Sequence, residues 1–230
     1  MLKAFIGIVC LCLVVLAGIQ IFRHVSNPSA GESADLRKLK ELLQHPYRTE
    51  TKITQAGNIT SINTVDVHEE EIINLIVKSR QRDITPWLQQ HAAQYCPKYL
   101  YFLAYRMAIQ KAPIQDTLFW VFLAQMRAAA DAALCKDPAA GQYLVLLNME
   151  IVYPTLHAYA KAETLMNDPE QLKQIMKKVV AWDEQHPQTN SPDWICKSGH
   201  AVSTSEAYPQ NEWEQRRRDF KREYTASLYK

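Results

Sequence analysis

Three successive apolar segments in the middle of the chain constrain its fold more than any other feature. They cover residues 97–110, 114–135 and 139–161, and a proline stands at or just before the start of each. Proline is favoured at the first position of a helix and interrupts the element that precedes it. Segments that are apolar nearly all round are typical of helices buried on most sides. The sequence therefore predicts three central helices, the third kinked by Pro154.

Amphipathic segments on either side of this centre predict helices that cover it. Apolar residues recur at helical spacing just after residue 35, after residue 71, from 172 to 182 and from 213 to 228. The clearest start signal is the string DPEQ at 168–171, with an aspartate cap, a proline at the first helical position and a glutamine at the third. This pattern predicts an all-α fold, a multi-helix bundle.

Residues 52–67 differ in character from the rest of the chain. The stretch KITQAGNITSINTVDV is rich in threonine, isoleucine, valine and asparagine, and its central AGN is a turn signal. A small β-hairpin and an irregular loop are both consistent with this composition. An isolated two-stranded ribbon is marginally stable in water. A hairpin here would therefore have to pack against the helices.

The N-terminus carries an apolar run, AFIGIVCLCLVVLAGIQIF, at residues 4–22. Its length is close to the ~20 residues that a helix needs to span a bilayer. Val15-Leu16-Ala17 would serve as a signal-peptidase site, but the run stays apolar to Phe22, which favours an uncleaved anchor. We expect an anchor or signal at 1–25, a linker at 26–35 and one helical domain at 36–230. A short N-terminal tail before a large domain favours export of that domain across the membrane.

Charged and amide side chains interrupt the apolar central segments at Arg106, Gln125, Arg127, Asp131 and Glu150. A buried charge is costly unless it is paired. Arg127 and Asp131 are four residues apart and so can pair on one helix face. The sequence predicts a structural polar network that fixes helix register, with a polar ligand-binding cleft as the alternative.

The positions of Glu150 and Trp120 in the sequence make them the expected partners of the buried arginines. Glu150 is the natural partner for Arg106 or Arg127 from the next helix. The indole of Trp120 lies on the same side of its helix as Arg127, which would allow the guanidinium to stack on it.

The cysteines limit which bonds and reactions are available. Cys10 and Cys12 belong to the apolar run, whereas Cys96, Cys135 and Cys196 follow it. In an oxidising compartment two of the last three could form a disulfide, and their spacing does not say which two. A hydrolase that uses Cys196 or His200 with a carboxylate is a possible alternative function.

Composition and motifs exclude several classes of protein. The formal net charge is +2, which argues against a dedicated nucleic-acid binder. The sequence has no GxGxxG, Walker A, HExxH, GxSxG or CxxC motif. We therefore expect no cofactor and no metal, and a binding role is favoured over catalysis.

Several strings together resemble a group of proteobacterial envelope proteins. They are FWVFLAQMRAAADAALCKDPAAGQ, VVAWDEQHP, PDWIC and a terminal PxxxWxxxR, within residues 85–230. Some members of such groups look like immunity proteins that neutralise antibacterial toxins. The resemblance implies a protein partner, either a toxin or an envelope component; a structural subunit of an envelope complex is the further alternative.

The loop at 184–211 is the candidate partner-binding surface. His186, Trp194, His200 and Tyr208 lie in it, and aromatic anchors often carry much of the energy of protein association.

Overall fold

The computed structural model describes residues 31–44, 49–56, 59–159, 162–197 and 206–227. Residues 4–22 and His200 therefore lie outside the described parts. The residues from Asp35 onward form one compact unit. Within the described parts, every helix is too short or too polar to cross a bilayer.

The described chain is mostly helical, as predicted. Its elements are α1 (Ala34–Gln44), β1 (Thr49–Ala56), β2 (Ile59–Asp66), α2 (Val67–Lys78), α3 (Ile84–His91), α4 (Pro97–Ile109), α5 (Ile114–Ala132), a 3₁₀ turn (Pro138–Gly141), α6 (Gln142–Leu147), a π segment (Asn148–Val152), α7 (Tyr153–His157), α8 (Ala162–Met166), α9 (Pro169–Gln185), α10 (Asp193–Cys196) and α11 (Gln210–Ser227).

Residues 52–67, for which the sequence left two options, form a hairpin. β1 and β2 pair antiparallel, from Thr49 opposite Asp66 to Ala56 opposite Ile59. The pair contacts α2, whose first residue follows β2 directly.

Helices α4 and α5 are the buried centre of the bundle. Their buried side chains include Leu100, Leu103, Leu118 and Leu123, all almost inaccessible to solvent. α5 also packs against α9 and α11, while α2 packs against α4. The first two of the three predicted central helices are therefore confirmed, and their positions place the polar groups of α5 at the middle of the fold.

The third predicted central helix is neither continuous nor buried. Residues 138–157 pass through the 3₁₀ turn, α6, the π segment and α7 in succession. Pro154 explains the interruption, because its ring has no N–H and collides with the carbonyl of residue 150 in a regular helix. Leu147, Val152 and Thr155 face inward. The opposite face has no covering helix in the described structure and is open to solvent.

The start of α9 matches the predicted cap in detail. The Asp168 carboxylate accepts hydrogen bonds from the backbone N–H groups of Glu170 and Gln171, both at 3.1 Å. The Gln171 side chain donates to the other carboxylate oxygen at 2.7 Å. These bonds to the charged form lower the pKa of Asp168.

Arg106 clamps the segment after α2 to the centre of the bundle. Its guanidinium donates to the backbone carbonyls of Ile76 at 2.8 Å, Ser79 at 2.7 Å and Gln81 at 2.5 Å. Its Nε donates to the Thr85 hydroxyl at 2.8 Å. The expected pairing of Arg106 with Glu150 is not formed, because backbone carbonyls occupy its donors.

Replacing Arg106 with methionine should therefore destabilise the fold strongly. The methionine fills much of the same space but leaves three carbonyls without their donor, at a combined cost of about 3 kcal/mol or more. Denaturant unfolding measures this loss. Arg80→Met is the matched control, since Arg80 is exposed, and we expect it to change stability by less than about 0.5 kcal/mol. Equal unfolding midpoints for the two variants would show that the clamp is dispensable.

Candidate functional site

Arg127 lies at the centre of the molecule and pairs with Asp183 of α9. Helical spacing along α5 does not indicate this partner. The Arg127 side chain is 0% exposed. Nε donates to Asp183 Oδ1 at 2.6 Å, Nη1 to the Ala92 carbonyl at 3.2 Å, and Nη2 to the His186 carbonyl. The guanidinium carbon is 5.0 Å from the ring centre of Trp182. The indole beside Arg127 is therefore Trp182 of α9, which corrects the expectation of Trp120.

Asp131 is also 0% exposed and is compensated from three directions. Its Oδ1 accepts from Arg217 Nη2 at 2.6 Å, Arg217 Nε at 3.0 Å and Gln188 Nε2 at 2.8 Å. Its Oδ2 accepts from Asn190 Nδ2 at 2.9 Å and Trp194 Nε1 at 2.8 Å. The predicted Arg127–Asp131 pair is not formed, because each residue bonds to a different helix.

A five-residue cluster, here called the charge network, results from these contacts. It consists of Arg127, Asp131, Asp183, Arg217 and Lys221. Lys221 Nζ lies 2.5 Å from Asp183 Oδ2, so that carboxylate bridges α5 to α11. Burial lowers the pKa of Lys221 and of Arg127. The network joins α5, α9, α11 and the loop at 186–192, and its position indicates a structural role.

The remaining residues of the predicted network lie elsewhere. Gln125 Nε2 donates to Asn148 Oδ1 at 2.9 Å, which links α5 to the π segment. Glu150 is exposed and bonds to neither arginine. It lies on the open face of the third segment. The sequence pattern predicted that this segment is buried, and for this face the prediction is wrong.

Asp183, Arg217 and Lys221 complete the network. The mixed charges around Arg217 and Lys221 predict a solvated helix face, which is wrong for Arg217, since it is 6% exposed and pairs with Asp131. Asp183 follows Val179 by four residues and thus continues the apolar stripe of α9. Arg217 falls on the face that carries Trp213 and Phe220. A charged residue on an apolar stripe was the available signal, because such a residue has to be paired when the stripe is buried.

The loop residues proposed to bind a partner are largely occupied by internal contacts. Trp194 is 5% exposed and donates its indole N–H to Asp131, so it belongs to the core. The His186 ring stacks on Trp182 at 4.2 Å between ring centres. The Tyr208 ring lies under the Arg216 guanidinium, 3.6 Å from its centre. A partner-binding role for half-buried His186 and Tyr208 stays a prediction.

A disulfide joins Cys135, just after α5, to Cys196 in α10. It resolves the pairing that the sequence left open. The bonded cysteines are 61 residues apart, and closing a loop of that size stabilises a fold by about 4 kcal/mol in the chain-entropy account. Cys96 is a free thiol whose pKa is raised by burial. Neither cysteine of the bonded pair offers a thiolate.

A groove of about 990 Å³ runs between the end of α9, residues 187–189 and α11. The charges on its rim pair with each other: Arg218 bonds to Glu214, and Arg222 lies 3.0 Å from Asp219. Because these charges cancel in pairs, the groove shows no preference for a strongly charged ligand. Among the residues that the structure describes, no cluster of His, Cys, Asp and Glu is arranged to hold a metal ion.

The open face of the third segment carries a row of large apolar side chains. We call Val145, Leu146, Met149 and Tyr153 the apolar row; their exposed fractions are 57%, 49%, 67% and 64%. The spacing of one, four and eight residues puts them on one side of a helix. Single exposed apolar residues are normal in soluble proteins, but a contiguous group marks an interaction surface.

Comparison with known proteins gave no match to a family model, to a curated protein or to a solved structure.

Replacing Asp131 with asparagine tests whether the charge network supports the fold. Asparagine keeps the shape but leaves the Arg217 guanidinium buried without its counter-charge, which should cost about 3–5 kcal/mol. Asp219→Asn is the control, because its pair with Arg222 is exposed and worth less than about 1 kcal/mol. Denaturant unfolding of both variants gives the comparison. Similar losses in the two variants would contradict a supporting role for Asp131.

Proposed function

We propose that this chain is a membrane-anchored, periplasm-facing protein of the bacterial inner membrane that binds a protein partner. The apolar row carries the proposal. Methionine and tyrosine are enriched in protein interfaces and valine and leucine supply apolar area, so the row has the composition of a contact surface. The neighbouring π segment adds support, because π turns in helices occur frequently at functional sites.

The proposed location rests on two features. The sequence begins with an apolar run at 4–22 of the length of a spanning helix. The domain that follows contains the Cys135–Cys196 disulfide, and such bonds persist in oxidising compartments such as the periplasm.

The proposed partner is an antibacterial toxin, and the protein acts as an immunity protein by covering it. The resemblance to envelope proteins with immunity-like members supports this choice. A rigid scaffold also suits the task, because a preorganised surface loses little conformational entropy on binding. The Arg106 clamp fixes α4, which packs against the π segment and α7 that carry part of the row.

The hydrolase alternative has less support. Cys196 is held in the disulfide, so it has no thiolate with which to attack a substrate. Desolvation raises the pKa of the half-buried Cys96, which disfavours its thiolate as well. A subunit of an envelope complex would use the same apolar row for its contact. The survival experiment below distinguishes this role from the immunity role.

The partner contact is tested with Leu146→Glu/Met149→Glu in the full chain. Both side chains are exposed, so the fold should be kept while two charges oppose burial of the row. We expect capture of the toxin, or of an envelope partner, to fall at least tenfold. Gln174→Glu on the exposed side of α9 is the control for added charge, and capture should be unchanged.

Survival distinguishes the kinds of partner. A strain without the protein should be killed by toxin-producing sister cells, and the unaltered chain should protect it while the double variant does not. Row-dependent capture without any effect on survival would assign the protein to an envelope complex instead. Capture that is equal for the double variant and the control would exclude the apolar row as the contact.

The proposed location is tested by alkylating the thiols of the chain in denaturant as the cells are lysed, before any reduction. Cys135 and Cys196 should stay unlabelled because they form a disulfide, and Cys135→Ser should make Cys196 reactive. Labelling of both cysteines in the unaltered chain would place the domain in a reducing compartment. Mass spectrometry of the alkylated peptides identifies the labelled cysteines.

A further inference from the structure

A second concave site lies between α3, α4, α5 and α9, apart from the apolar row. The cleft has a volume of about 410 Å³, within the range of ~300–1,000 Å³ typical of small-molecule sites. Met107 and Ile175 form part of its lining and are buried. The cleft thus has an apolar interior set among the central helices.

Three aromatic rings line one side of this cleft. Phe119 and Trp120 meet edge to face at 5.1 Å, Trp120 and Trp182 at 5.7 Å, and Phe119 and Trp182 at 6.2 Å. The charge network fixes this wall, because Arg127 and the His186 ring both lie against Trp182. The ring planes stand 70–87° apart, so the three rings form a rigid apolar corner in which the face of a ligand can stack on one ring and touch the edges of the others.

Polar side chains surround the aromatic wall. Gln89, Gln115, Asp116 and Lys178 reach the cleft, so it presents two carboxamides, a carboxylate and an ammonium group. Asp116 and Lys178 are exposed, and neither forms an ion pair within the described structure. Their opposite charges balance, and all four groups can hydrogen-bond to hydroxyls.

The aromatic rings and the polar rim together favour a sugar over a cationic ligand or a purely apolar one. Asp116 and Lys178 both line the cleft, so a charged ligand of either sign meets one like charge there and a neutral ligand meets none. A purely apolar ligand would bury the polar rim without hydrogen bonds, which is costly. A sugar ring has an apolar C–H face for the aromatic wall and hydroxyls around its edge for the rim.

We propose that this aromatic cleft binds a neutral carbohydrate, with the C–H face of a sugar ring in the corner formed by Phe119, Trp120 and Trp182 and its hydroxyls bonded to Asp116 and the neighbouring amides. Asp116 accepts hydrogen bonds from sugar hydroxyls, and Lys178 donates to them. This site is independent of the proposed partner contact, because it uses different helices.

Saturation-transfer NMR on the full chain tests the proposal. The protein is held in a polyoxyethylene detergent, which has no sugar headgroup, and is titrated with glucose, galactose, N-acetylglucosamine and maltose at millimolar concentrations. We expect saturable transfer to the ring C–H protons of at least one sugar. Asp116→Ala should weaken that binding at least tenfold, whereas Glu223→Ala, an exposed carboxylate on α11, should leave it unchanged.

Two other probes cover the competing chemistries. Tetramethylammonium that binds in an Asp116-dependent way, with no sugar binding, would replace the proposal with a cation site. Cyclohexanol that binds more tightly than any sugar, with no effect of Asp116→Ala, would make the cleft a plain apolar pocket. Absence of saturable transfer to every sugar tested would also overturn the proposal. Unfolding midpoints of the variants confirm that each is folded.

Discussion

The carboxylate of Asp131 is the group on which the arrangement of the C-terminal third depends. A fully buried negative charge at the centre of a bundle is tolerated only when its desolvation is offset by good hydrogen-bond geometry. Here five hydrogen bonds converge on it, from a guanidinium, two amides and an indole. Those donors come from α11, from the loop at 186–192 and from α10. Asp131 thereby joins these three segments at one point.

Two of these donors, Gln188 and Asn190, belong to the loop at 186–192, and both turn their side-chain N–H groups toward Asp131. Asp131 therefore fixes the conformation of this loop, which is consistent with buried polar groups serving conformational specificity.

Local signals in the sequence predicted local structure well. Pro97 starts α4, Asp168 caps α9, and the threonine-rich stretch forms the hairpin, because each outcome depends on neighbouring residues. Long-range partners were not predictable in the same way. Arg127 and Asp131 have the spacing of a pair, yet tertiary packing turns each toward a different helix. The disulfide pairing has no local signal at all.

The third apolar segment shows where periodicity misleads. A segment that is apolar nearly all round is expected to be a buried helix, whereas residues 145–153 have a helix behind them and none described in front. The same composition serves a core and an interface, since both remove apolar surface from water. Only the placement of the neighbouring helices distinguishes a core from an interface. The aromatic cleft could not be predicted for the same reason, since side chains of four helices form it.

The disulfide also determines how the backbone is connected. Cys135 and Cys196 enclose the segment that contains the apolar row, α8, α9 and the loop at 186–192. A single cut of the backbone anywhere inside this segment leaves two fragments that are still covalently joined. Both the exposed row and the loop beside the groove can therefore be nicked by a protease without releasing either end of the chain. The polypeptide behaves there as a closed ring, with the N-terminal portion and α11 attached to it at one point.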